Sequence, residues 1–164
     1  DLTTVCMDNQ IYGLTKAQAS PTTKVGQVTK STPYGVATKP INPLLTALSA
    51  GATFVARGYS AKPKMLADLF VAGIKHKGFS FIHVISPCTE FNNTYSFYDA
   101  QVTDLPADWD KGDLQKAMGM AITEEKPHLG IWYETQRPAL DQVLHNLEKE
   151  TKQFDPNAYL KRFE

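Results

Sequence analysis

Cysteine is scarce in this chain, and most other compositional extremes are missing with it. Two cysteines in 164 residues, Cys6 and Cys88, are too few for a disulfide framework and suit a reducing cytosol, with one pairing between them left open. Neither sign of charge is in excess, Lys and Arg numbering 17 against 17 for Asp and Glu. That balance removes the main argument for nucleic acid or an anionic membrane as partner. No run approaches the ~18 consecutive apolar residues a membrane span requires. There is no signal peptide, internal repeat, heptad array or low-complexity segment. An initiator methionine is also missing, and the chain opens in the middle of an apolar, β-branched run, DLTTVCM. A strand normally has a turn or cap before it, so an amino-terminal part of the polypeptide is expected ahead of Asp1.

What is present is ordinary globular material. A hydrophobic content of 42% over this length supports a single domain, residues 1–164, with a sizeable core. LTTVCM has the length and β-branched content of a buried strand covered on both faces. NPLLTALSAG predicts a short helix with Asn42 as N-cap, Pro43 at its first position and Gly51 just past its end. TFVAR predicts a strand. Met65, Leu66, Leu69, Phe70 and Ile74 recur at three- and four-residue spacing in a helix that Gly78 closes. FSFIHVISP is the clearest strand, DLQKAMGMAITEE a helix, HLGIWY a strand, and PALDQVLHNLEKE a helix opened by Pro138. Alternating strand and helix predict an α/β fold, a mostly parallel sheet with flanking helices.

That topology places ligands outside the carboxyl ends of the strands. Two polar loops should open there: the long Gly-, Pro-, Thr- and Lys-rich connection after LTTVCMD, and SPCTEFNNTYSFYD after FSFIHVI. Asn9 and Cys88 therefore belong on one edge of the sheet. An Asn amide oxygen with the Ile11 carbonyl two residues on can ligate a hard cation such as Mg2+, while Asx residues at a strand end also simply make turns. Lys16 can pair with a carboxylate or phosphate, although solvation is the commoner fate of a loop lysine. Cys88 can be a nucleophile, a metal or cluster ligand, or a small buried residue. His83 lies five residues before it in the strand and so points to the opposite face, badly placed as its base. Cluster chemistry needs more thiolates than Cys6 can add, and Cys6, in mid-strand, reads as core. His76, His128 and His145 read as structural, Arg57 is a weak candidate for the ligand edge, and Phe91, Tyr95, Phe97 and Tyr98 are expected to pack over the cysteine loop.

The wording of the loops is more specific than their composition. DNQIYGLTKAQASPTT, then Cys88 in ISPCTEFNN and later GIWYETQRP, resembles the β subunit of the 2-oxoacid:ferredoxin oxidoreductases, enzymes of thiamine diphosphate and iron–sulfur chemistry. The motif N-x-I-Y-G-L-T-K-x-Q is long and specific, P-C-x-x-F-N supports it at the expected distance, and the resemblance spans essentially the whole chain. It implies the carboxyl-terminal portion of a thiamine-diphosphate-binding fold. It implies that the Asn9 side chain and the Ile11 carbonyl ligate Mg2+ on the cofactor diphosphate. Gly13, Leu14 and Thr15 would pack against the cofactor, Lys16 would approach the far carboxylate of the substrate or the coenzyme A region, and Cys88 would be the fourth cysteine ligand of a [4Fe–4S] cluster. The implied activity is coenzyme A-dependent oxidative decarboxylation of a 2-oxoacid, with electrons leaving through the cluster to ferredoxin. No side chain of this chain need be a general acid or base. The implied partners are the α (or fused γα) subunit and the rest of the β subunit. The loop form I-Y-G-L-T-K is similar to the 2-oxoglutarate and broad-specificity branch, and Lys16 suits a dicarboxylic acid. Pyruvate or broad use stands close behind.

The family also carries, ahead of the equivalent of Asp1, an acidic glycine motif, a C-x-x-C motif and a further cysteine, none of which occurs here. The expectation is therefore a carboxyl-terminal half that is inactive alone. Two rival readings are a thiamine-dependent synthase or decarboxylase without a cluster, and an assembly fragment with no activity of its own.

Overall fold

A computed structural model describes residues 1–150 and 156–163. Five strands, β1 (Leu2–Asp8), β2 (Phe54–Tyr59), β3 (Phe79–Ile85), β4 (Thr103–Asp104) and β5 (His128–Glu134), form one sheet in the order β1-β3-β2-β5-β4. The helices are α1 (Pro43–Ser49), α2 (Pro63–Lys75), α3 (Tyr95–Gln101), α4 (Leu114–Thr123), α5 (Leu140–Glu150) and α6 (Pro156–Leu160). β3 runs parallel to both β1 and β2, and β4 parallel to β5. β5 is antiparallel to β2, a reversal that the alternating strand–helix pattern does not announce. No helix among the described residues is long and apolar enough to cross a membrane.

Side chains alternate across the sheet as period-2 geometry requires. Val55 joins Leu44, Leu48, Ala117 and Trp132 in a core under α1 and α4. Phe54, Ala56, Ile82 and Val84 face the other way and meet Leu69 of α2. α1 starts as expected, with Leu45 N donating to the Asn42 side chain at 3.1 Å. α4 starts on Asp113, which accepts from Lys116 N at 2.9 Å.

Three expectations need correction. Among the described residues β1 is a sheet edge, paired only with β3, and Leu2, Val5 and Met7 are 62%, 40% and 60% exposed. Its continuous apolar run reports a strand suited to burial on both faces, but within these residues only one side of it has a neighbour. The helix expected to close at Gly78 ends at Lys75 with His76 as its cap. Gly78 instead turns the chain into β3 at φ +128°, where a Cβ would lie 2.6 Å from Thr53 Oγ1. Finally, the segment TYSFYD, read as loop, is largely the helix α3. Its residues have weak helix propensity, and packing supplies the difference: the Tyr95 and Tyr98 rings each lie 6.2 Å from that of Tyr59.

Gly78 carries the first prediction. Gly78→Ala should lower stability by about 1–3 kcal/mol through backbone strain and the clash with Thr53. Denaturant titration is the check, and an unchanged midpoint would contradict the geometry.

Candidate functional site

The loop after β1 is organised by its own side chains. Asp8 Oδ1 accepts from Gln10 N at 2.9 Å, and Asn9 Oδ1 accepts from Ile11 N at 3.0 Å. These paired Asx turns need Gln10 in the left-handed region, at φ +59°, which costs about 1 kcal/mol for a residue with a side chain. The Ile11 side chain is buried. Among the described residues, no hydrogen bond reaches the Ile11 carbonyl.

Farther along, SPTT folds back on the same strand end. Thr22 Oγ1 donates to Asp8 Oδ1 at 2.6 Å, and Thr23 Oγ1 donates to the Gln10 carbonyl at 2.7 Å. Between these limbs Gly13, Leu14, Thr15 and Lys16 form a tight projecting turn. Lys16 N donates to the Gly13 carbonyl and Ala17 N to the Tyr12 carbonyl, each at 3.0 Å. Lys16 and Ala17 both take positive φ, 60° and 76°. Leu14 at the tip is 98% exposed, and Thr15 and Lys16 are exposed with it.

The second loop comes to meet the first. Cys88, partly buried and with a free thiol, sits in a two-way backbone bridge with Asn92: Cys88 N donates to the Asn92 carbonyl at 3.2 Å and Asn92 N to the Cys88 carbonyl at 3.0 Å. The Asn92 amide Nδ2 then donates to the Asn9 carbonyl at 2.8 Å. Phe91 lies over Gly13, its ring 3.8 Å from where a Cβ would stand. Asn9, Ile11, Gly13 and Cys88 are thus gathered on one edge of the sheet, as topology predicts. The aromatic group does not pack over the cysteine loop as expected: Phe91 lies against Gly13 of the other loop, Tyr95 and Tyr98 turn to Tyr59, and Phe97 receives the Lys24 ammonium at 3.9 Å from its centroid.

Behind the first loop runs a buried polar chain that the sequence conceals. Arg57, interior to β2 rather than at a strand end, pairs with Glu124 at 2.7 Å. Its Nε donates to His83 Nδ1 at 3.3 Å, and His83 Nε2 lies 3.0 Å from Asp8 Oδ2. A guanidinium can only donate, so Nδ1 must accept and the proton of neutral His83 sits on Nε2, directed at Asp8. Burial holds the His83 imidazole below its usual pKa, against the pull of Asp8. Burial also pushes the Asp8 carboxyl up, but hydrogen bonds from His83, Thr22 and Gln10 outweigh it and the net shift is downward. His83 is thereby committed to Asp8 and is no base for Cys88. Beside this chain is a polar cavity of about 360 Å3 whose walls include Arg57, Glu124 and Tyr98.

The sign of the pH dependence follows. A histidine whose folded pKa lies below its unfolded value of about 6.5 binds its proton more readily when unfolded, so stability falls as pH drops through that value. Thermal melts from pH 8 to pH 5 should show Tm falling below about pH 6.5, and His83→Gln should flatten part of that slope. A slope identical in the variant would remove His83 as its source.

The chemistry of the donors separates the candidates. The Asn9 amide oxygen keeps a second lone pair beyond its bond to Ile11 N, and the Ile11 carbonyl accepts no hydrogen bond from the described residues, so the pair fits a hard cation. Cys88, free and at the loop edge, fits one thiolate position. Cys6 does not: it lies in mid-strand against an apolar cavity of about 530 Å3, and burial, with Asp8 nearby, raises its thiol pKa. Among the described residues no group of three or more His, Cys, Asp or Glu is arranged to hold a metal. His76, buried, hydrogen-bonds Thr53 at 2.8 Å, and His128 lies 3.5 Å from Glu124, both structural. Sequence reasoning misses Asp8, His83, Thr22 and the tie made by Asn92. The P-C-x-x-F-N motif does contain Asn92, which is the available signal.

Comparisons with known proteins place the chain in a family. Residues 1–84 match the family model of the thiamine pyrophosphate enzyme C-terminal TPP binding domain. Residues 88–149 match the family model of the C terminal part of the pyruvate ferredoxin oxidoreductase β subunit. The chain is 39% identical over 150 residues to a 2-oxoacid:ferredoxin oxidoreductase subunit beta of Saccharolobus solfataricus, covering 83% of this chain and 49% of that protein. It is 34% identical to the 2-oxoglutarate synthase subunit KorB of Methanocaldococcus jannaschii, covering 93% and 57%. Among solved structures it is similar to the 2-oxoglutarate:ferredoxin oxidoreductase from Magnetococcus marinus with 2-oxoglutarate, coenzyme A and succinyl-CoA bound. That match has a TM-score of 0.89 and 39% identity, over 99% of this chain and 58% of the other. The chain therefore spans about half the length of the relatives it matches. With both family models, these relatives and the α/β fold in agreement, this chain belongs to the β-subunit family of the 2-oxoacid:ferredoxin oxidoreductases and carries the thiamine-diphosphate-binding fold.

Proposed function

We propose that residues 1–164 act as one domain of a cytoplasmic 2-oxoacid:ferredoxin oxidoreductase β subunit, completed by further β-subunit residues and by an α (or γα) subunit, with 2-oxoglutarate as the favoured substrate. The observation that carries this reading is the junction of the Asn9–Ile11 oxygens and Cys88 on one edge, within hydrogen-bonding reach through Asn92. Asn9 Oδ1 and the Ile11 carbonyl would hold Mg2+ with the cofactor diphosphate. The projecting turn Gly13, Leu14 and Thr15 would lie along the cofactor, giving the fully solvated Leu14 an apolar surface to cover. When bound, thiamine diphosphate supplies the nucleophilic carbon and the electron sink for decarboxylation, while coenzyme A takes up the acyl group.

What this chain's own residues do is bind, orient and shield. Asp8, Thr22 and Thr23 fix the two limbs of the loop, so the Asn9 and Ile11 oxygens are presented with little left to order on binding. Cys88 would give one thiolate to a [4Fe–4S] cluster that passes electrons to ferredoxin, the other thiolates coming from residues outside this sequence, since a four-cysteine site cannot be completed here. Lys16, exposed at the turn, would meet the far carboxylate of a dicarboxylic oxoacid.

Lys16 supplies the substrate test. Lys16→Ala in the complete complex should raise KM for 2-oxoglutarate about 10-fold, equivalent to ~1.4 kcal/mol, with kcat nearly unchanged and pyruvate kinetics unaffected. Equal effects on the two substrates, or none on 2-oxoglutarate, would reject the role of Lys16 in recognising the second carboxylate.

A further inference from the structure

Asn92 is tied to both loops at once. Its backbone N–H and C=O close the turn that carries Cys88. Its side-chain amide donates to the carbonyl of Asn9, 83 positions away in sequence. Its amide oxygen accepts from Gln27 Nε2 at 3.4 Å, in the later part of the same long connection that begins at Asn9. The preceding residue, Phe91, packs over Gly13. From Cys88 to Asn9 the path is therefore two backbone hydrogen bonds, one side chain and one further hydrogen bond. The peptide plane that Asn92 grips, with Asn9 C=O at its end, leads directly into the Gln10 turn that aims the Ile11 carbonyl. A displacement of the cysteine turn must either move this plane or break the 2.8 Å bond.

We propose that Asn92 is a positioning residue that couples the thiamine-diphosphate loop to the cysteine loop, so that occupancy of either site is felt at the other. The inference rests on the proposed roles of Asn9, Ile11 and Cys88. Coupling of this kind is reciprocal: whatever cofactor binding does to the cysteine turn, filling the cysteine site does to cofactor affinity by the same factor. A single partly buried hydrogen bond to a neutral acceptor sets the scale, about 3- to 10-fold in affinity.

The test uses the full-length complex and two readouts that do not depend on turnover. In the wild type, adding Mg2+ and thiamine diphosphate to the cofactor-stripped, cluster-containing complex should shift the EPR g-values or line width of the reduced cluster. Asn92→Asp keeps the side-chain shape but removes the N–H donor. It should retain the iron content, abolish that spectral response and weaken thiamine diphosphate binding about 3- to 10-fold by titration calorimetry. In a double-mutant cycle, Cys88→Ala should weaken cofactor binding in the wild-type background and have no further effect once Asn92→Asp is present. A purely structural asparagine would lower Tm while leaving the spectral response intact, and that result overturns the proposal. So does a wild-type spectrum indifferent to the cofactor. If the wild-type complex holds neither cluster nor cofactor, the functional reading itself fails and the coupling falls with it. If Asn92→Asp does not assemble, Gln27→Ala, which removes only the support of the Asn92 amide, should give a partial loss of the spectral response; an undiminished response would again overturn the proposal.

Discussion

Asn9→Ala in the complete complex should reduce the affinity for Mg2+ and thiamine diphosphate by roughly 100-fold, at least the upper end of what loss of a residue that merely supports a metal ligand costs. Two effects combine. The substitution deletes the proposed side-chain oxygen ligand, and it also removes the acceptor that holds Ile11 N at 3.0 Å, freeing the peptide whose carbonyl is proposed as the second. Mg2+ demands near-octahedral geometry at short distance, so a loosened carbonyl is a poor substitute for a fixed one. Asn9→Asp keeps an oxygen at the same position and should recover much of the binding, which separates ligand loss from misfolding. Titration calorimetry with the cofactor at saturating Mg2+ reads both. Alanine and wild-type affinities within a factor of two would remove Asn9 from the metal site.

The second large effect concerns Cys88. Cys88→Ala should leave the subunit folded, because the thiol is only partly buried and the Cys88–Asn92 bridge is made by backbone atoms. On the proposed role of Cys88 it should nonetheless abolish 2-oxoacid-dependent reduction of a viologen dye, with iron and acid-labile sulfide in the complex falling by about one [4Fe–4S] equivalent, since such a cluster is held by four thiolates. An unchanged iron content with full dye reduction would favour a thiamine-dependent enzyme that runs without this cluster. Cys6→Ala serves as the control: a mid-strand thiol with its pKa raised by burial should leave iron and activity unaffected.

Legibility in the sequence follows the range of the interactions involved. Strand and helix segments are readable with small errors because their periodicities record contacts a few residues apart, and helix starts such as Asn42–Pro43 are set by bonds within one turn. The candidate ligands Asn9, Ile11 and Cys88 are legible as words in two loops, and the rule for parallel sheets places those loops together. Errors arise where a local reading depends on a distant neighbour. The apolar run of β1 says that it tolerates burial, not which side is covered. The weak helix-forming sequence of α3 is helical because Tyr59 lies beneath it, and Arg57 looks like an edge cation only because Glu124 is 67 positions away.

By itself, then, the amino-acid sequence determined the α/β class, the Asn42 helix cap, the two polar loops and the residue types that could ligate Mg2+ and iron. Only the tertiary structure decided that β1 is an edge among the described residues, that β5 runs antiparallel, that Glu124, Arg57, His83 and Asp8 form one buried chain, and that Asn92 ties Cys88 to Asn9. The reason is physical. Propensity, capping and periodicity act through neighbours along the chain and leave a local pattern, whereas a hydrogen bond between residues tens of positions apart exists only once the sheet has set its register, and nothing local encodes its partner.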